Sequence, residues 1–210
     1  MTREDDEAET DAGGQGLGRT LALSDGIFAI AMTLLAFQTL PSDLKGDPAH
    51  HLTRTLGGLG DRYFAFVLTF LVLGMLWLSH HRLFSRIAEA DEVLMGVNLL
   101  FLMTVAALPF PSALLGQYGS ESASVVLYAS AMSVASVLLM LMSLTARHRD
   151  LLLPGTTDAW IRSGLWRSGT TTAVFLVAIP VALIAPSVGP LTFIALLPVR
   201  LITHRRMPPG

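Results

Sequence analysis

The sequence predicts an all-helical integral membrane fold with six transmembrane helices per chain. Three observations predict it. Apolar residues make up 52% of the 210 positions and charged residues only 14%, against roughly 25% charged in soluble domains. The apolar residues fall in blocks close to the ~20 residues that an α-helix needs to cross ~30 Å of hydrocarbon. Between the blocks lie short segments rich in Gly, Pro and Arg.

Residues 1–18 are acidic and Gly-rich with few apolar side chains, so they are expected to be a disordered cytoplasmic tail. Their charge is opposite to that of a secretory leader, and the first apolar block is expected to be retained as a span. The membrane domain is then expected over 19–205. Its first span covers about 19–40 and stops at Pro41-Ser42-Asp43. The next three are read at 63–80, 93–115 and 124–145.

The tail is interrupted by Pro180, Pro186 and Pro190, which allows either two short spans, at 170–185 and 190–203, or one long kinked span. Charge arbitrates, because Lys and Arg are retained on the cytoplasmic side. Six spans with both termini inside leave only Lys45, Arg54 and Arg62 outside; five spans would move Arg200, Arg205 and Arg206 there as well. Six is the better reading. The Ala146–Gly169 connection then lies inside, where Trp160 and Trp166 suit the headgroup level. Arginine greatly outnumbers the single Lys45, which fits a bacterial plasma membrane.

Several function classes drop out. With no cysteine, thiolate catalysis and cysteine metal sites are excluded. No basic nucleic-acid-binding stripe appears, and no phosphate loop, zincin pattern or nucleophile elbow is present. His80 and His81 are adjacent on a helix and point apart, so no metal site is expected. The chain is not expected to be an enzyme or to carry a cofactor.

Ionisable groups inside spans cost ~2.5–3.5 kcal/mol on insertion scales, which makes them functional candidates. Arg19 and Asp25 lie near the start of the first span, about 120° apart around an ideal helix. They are therefore expected to find partners on neighbouring spans. Ser24, Trp77, His80 and Asn98 reach a similar depth, and the six residues together are a candidate buried network that holds the fold. On another face of the first span, Ile30, Thr33, Leu34 and Phe37 form a stripe with Leu23 and Gly26. By spacing alone such a stripe reads as helix packing.

The stretch Arg19-Thr20-Leu21-Ala22-Leu23-Ser24-Asp25 resembles the first-span signature of the transmembrane protein 175 family of potassium channels: Arg, three residues, then Phe-Ser-Asp. Leu23 stands at the aromatic position. The resemblance continues through Trp77, His80-His81-Arg82-Leu83-Phe84, Asn98 and Leu108-Pro109-Phe110-Pro111. It implies a homotetramer whose first spans line a central pore, passing K⁺ as the permeant ion with weak to moderate preference. It also implies that Ile30, Leu34 and Phe37 form constriction layers, that Thr33 supplies a hydroxyl layer, and that Arg19, Ser24, Asp25, Trp77, His80 and Asn98 support the pore helix. The Thr-Val-Gly-Tyr-Gly carbonyl filter is absent. A proton-coupled carrier or proton-permeable channel is the alternative, with Asp25 and His80 or His81 as relays.

Overall fold

The computed structural model describes residues 3–39, 59–185 and 188–193. Among these residues seven helices follow in order: α1 Arg3–Phe37, α2 Gly60–Phe84, α3 Glu92–Ala107, α4 Pro109–Gln117, α5 Ser122–His148, α6 Asp158–Ile184 and α7 Gly189–Thr192. Among the described residues, five segments are long and apolar enough to cross a membrane: Gly16–Phe37, Gly60–Phe84, Glu92–Gln117, Ser122–His148 and Asp158–Ile184. The sixth span expected at 190–203 lies beyond Phe193 for most of its length, outside the described residues.

Two boundaries differ from the sequence reading. Residues 3–18, expected without structure, continue the first span as one helix. Glu and Ala favour helix, and a segment joined to a formed span extends it without a new nucleation step. The fifth span begins at Asp158 rather than Thr170, because the Thr157 side chain accepts the Trp160 N–H and caps the helix there. Trp160, Arg162 and Trp166 thus sit on the span itself, not on a separate interfacial helix.

The third span is built from α3 and α4 with a break at Leu108. Pro109 has no N–H and its ring crowds the carbonyl one turn earlier, so the α-helical ladder cannot run through it. The chain tightens instead into a turn in which the Leu108 N–H reaches Val105 O at 3.2 Å. Pro180 sits inside α6 without ending it.

The core forms where one stripe of each span meets its neighbours. Phe28, Ala31 and Leu35 of α1 meet Val72, Leu73 and Leu76 of α2 and Phe101, Leu102 and Val105 of α3, all almost fully buried. The i, i+3, i+4 spacing puts each set on one helix face. On the other side α5 and α6 pack together, small residues on both (Ala129, Ala135, Ala178, Ala182) allowing close approach. There the rings of Tyr128, Phe175 and Phe193 cluster, with centroids 5.1 to 6.0 Å apart. Three of the hydroxyls buried in this region pair with one another, whereas those of Ser133 and Ser136 have no partner among the described residues. Thr69 and Ser112 hydroxyls meet at 2.9 Å, and Thr69 also reaches the Tyr128 hydroxyl at 3.1 Å, joining α2, α4 and α5 away from water.

At one end of the bundle the α2–α3 and α5–α6 connections are stapled to each other. Ile87 and Leu152 form an antiparallel bridge, with the Ala88 N–H donating to Leu151 O at 2.9 Å and the Leu153 N–H to Arg86 O at 2.8 Å. Asp91 caps α3 by accepting the Leu94 N–H at 2.8 Å and forms an ion pair with Arg149 from the other connection. The Leu94 amide holds the Asp91 carboxyl below the usual carboxylate range; Arg149 adds to this while partial desolvation opposes it. A depressed pKa means that the folded state favours the charged form. This contribution is therefore present above the unfolded carboxylate pKa and fades as pH falls through the folded value. Amide exchange at Leu94 and Ala88 is expected to quicken on acidification through that window. In Asp91→Asn, which still accepts the Leu94 N–H but does not titrate, the acid-dependent step should vanish; its persistence would assign the titration elsewhere.

Candidate functional site

The first span has two faces of opposite character. Thr20, Ser24, Phe28, Ala31 and Leu35, at steps of four and three, turn inward and are buried. Leu23, Ile30, Thr33, Leu34 and Phe37 turn away from the rest of the chain and are exposed, Ile30 by 61% and Phe37 by 68%. The Thr33 hydroxyl donates back to the Ile30 carbonyl at 2.9 Å, which satisfies its proton within the helix and leaves its oxygen lone pairs turned outward. The stripe read from spacing as packing therefore packs against nothing within the described chain.

The polar residues are placed in two pairs rather than one network. Trp77 Nε1 donates to Asp25 Oδ1 at 2.7 Å across the α1–α2 contact, on a side that the single chain leaves exposed. His80 Nε2 meets Asn98 Oδ1 at 2.8 Å between α2 and α3, with both residues buried. With the Asn98 oxygen facing the ring, Nε2–H donates to it, and among the described residues Nδ1 has no hydrogen-bond partner. Ser24 is fully buried but donates to the Thr20 carbonyl at 2.8 Å, not to either pair. Arg19 is exposed and makes no ion pair with any described residue.

The sequence reading missed the aromatic box around His80. Phe84 stacks on its ring at 4.3 Å and Phe101 at 5.4 Å, with Phe28 at 6.1 Å. It also missed Thr20, whose hydroxyl donates to Gly16 O at 3.1 Å on the same buried stripe. The Thr20, Ser24, Phe28 spacing carried that signal. The box did not show because its members come from three helices.

Together these features define a helical multi-pass membrane protein whose first span is tied to the second by the Asp25–Trp77 pair and leaves one largely apolar, hydroxyl-bearing face uncovered among the described residues. Residues 19–109 match the family model described as endosomal/lysosomal potassium channel TMEM175. A Streptomyces collinus protein named as a potassium channel is 46% identical over 104 residues, covering 50% of this chain and 50% of that one. The mouse protein named endosomal/lysosomal proton channel TMEM175 is 33% identical over 97 residues, 43% of this chain and 19% of its own length. The chain thus spans about half the length of the bacterial relative it matches. The crystal structure of a lysosomal potassium-selective channel TMEM175 homolog from Chamaesiphon minutus superposes with a TM-score of 0.75 at 28% identity, covering 90% of this chain and 98% of that one. Over residues 19–109 the chain is thus similar to the TMEM175 family.

Proposed function

We propose that the chain is one subunit of a homotetrameric cation channel that favours K⁺. The observation that carries this is the uncovered stripe of α1, inside the family match, where four copies brought together would turn Ile30, Thr33, Leu34 and Phe37 onto a common axis. Rings of four apolar side chains close a pore by dewetting, and four threonine oxygens partly replace the hydration shell of an ion held between them. The Asp25–Trp77 pair holds α1 against α2 and the His80–Asn98 pair joins α2 to α3 behind it, Ser24 lies on the inward face of α1, and Arg19 is left for a neighbouring subunit or lipid headgroups. The sixth span at 190–203, both termini on the cytoplasmic side and a bacterial plasma membrane complete this reading. Its supports are the retention of arginines on one side and the bacterial relative.

The mouse relative's printed name, a proton channel, favours a second reading in which protons also permeate. Purified protein in vesicles loaded with K⁺ and bathed in Na⁺ tests the channel reading, and a pH-sensitive dye inside the vesicles reports whether protons permeate as well. A K⁺ diffusion potential of the Nernst sign, formed without any pH gradient, is the expected result. Flux that appears only when a pH gradient is imposed would overturn the channel reading in favour of a proton-coupled carrier.

A further inference from the structure

At the stapled end of the bundle, α2, α5 and α6 enclose a small cavity lined by Ser79, Arg82, Ser143, Trp160, Arg167 and Ser168 among others. Two guanidinium groups share this space, and among the described residues no carboxylate belongs to its lining. Acids nearby are engaged elsewhere: Asp158 pairs with Arg147 at 3.1 Å and Asp91 with Arg149. Arg167 Nε is buried and has no hydrogen-bond partner among the described residues. A buried N–H on a charged group without an acceptor is a costly arrangement, relieved when an anion supplies one. The hydroxyl protons of Ser79 and Ser143 are already given to Met75 O and Leu139 O, so the charged donors into the cavity are the arginines.

The cavity's depth indicates what fills it. Trp160 forms one wall and carries Arg86 over its ring at 5.7 Å, and tryptophan with arginine at span ends marks the headgroup level of a bilayer. Basic pockets between spans at that level accept anionic headgroups. A guanidinium fork matches phosphate oxygens in both spacing and charge.

We propose that this cavity binds a phosphate-bearing anion, supplied by an acidic phospholipid of the adjoining leaflet, with Arg82 and Arg167 as its two cationic donors. The site is separate from the uncovered face of α1 and does not depend on the channel reading.

The test uses the full-length protein in neutral detergent, titrated with phosphatidylglycerol, with phosphatidylcholine and, separately, with inorganic phosphate. Binding is read by native mass spectrometry and by the shift in Tm. Wild type is expected to bind phosphatidylglycerol in preference to phosphatidylcholine and to gain Tm with it. Arg82→Gln and Arg167→Gln should each weaken that binding about fivefold, the weight of one arginine near an anionic surface. Arg162→Gln, an exposed change on α6 outside the cavity, should leave it unchanged. Inorganic phosphate that displaces the lipid would support the site with free phosphate as an equivalent occupant; failure to displace it would support the lipid as the sole source. No preference between the two lipids in wild type, which needs no variant to fold, would overturn the proposal. Equal loss in Arg162→Gln would overturn it too, by reducing the effect to general surface charge.

Discussion

Ile30→Asn is expected to raise resting cation leak through reconstituted protein, while Ile30→Val should leave it near the wild-type level. Ile30 is exposed on the chain although it sits mid-span, so its side chain faces either lipid or other copies. In the proposed tetramer four isoleucines would form a dry ring, and four amides would wet it. Lowering the barrier at that ring by only ~1.4 kcal/mol gives about tenfold more flux. The same substitution facing lipid would instead cost insertion energy and leave conduction as it was. Single-channel or vesicle flux measurements on protein of matched tetramer content distinguish the two. Unaltered conductance and selectivity in Ile30→Asn would remove Ile30 from the pore.

Asn98→Leu is expected to cause the largest loss of stability among the polar sites. The His80 ring lies wholly buried between Phe84 and Phe101, and Asn98 supplies the acceptor for its Nε2–H. Leucine would leave that N–H unpaired away from water, a penalty of ~1–3 kcal/mol, tempered in bilayers where interhelical hydrogen bonds average nearer ~0.6 kcal/mol. Thermal unfolding in detergent should report a clearly lower Tm. His80→Phe supplies the control, since a phenyl ring suits the box and needs no acceptor. Asn98→Leu should cost much less in that background, because removing both partners leaves nothing orphaned. Equal cost in the two backgrounds would mean that Asn98 acts through packing alone.

The fold was most legible where one physical rule acts alone. Hydropathy located the spans because the bilayer demands unbroken apolar length, and the residues of the two polar pairs stood out because charge and amides at depth are costly. The start of α6 was hidden, since Arg162 and Arg167 lower the hydropathy of a segment that Thr157 nonetheless caps as helix. Arginines at a span's end reach the headgroups along their own stems, so their charge does not mark a boundary. The division of the candidate network was also out of reach. Helix geometry showed that Arg19 and Asp25 do not face each other, but which neighbour Asp25 meets depends on the rotation of α2, which placed Trp77 against it and His80 one face away toward Asn98. The uncovered stripe on α1 read as packing because spacing says that a face is apolar and never what covers it.

The break at Leu108 has a mechanical consequence. Gln38, just past the end of α1, donates through Nε2 to the Pro109 carbonyl at 2.6 Å, the first residue beyond the bend. The C-terminal end of the first span is thus tethered to the knee of the third. Straightening or deepening that knee would swing Gln38 with it and tilt the last turn of α1, which carries Leu34 and Phe37. In a ring of four such subunits, flexing four knees together would work like an iris on the outer aperture, while the stapled connections at the opposite end kept its rim fixed.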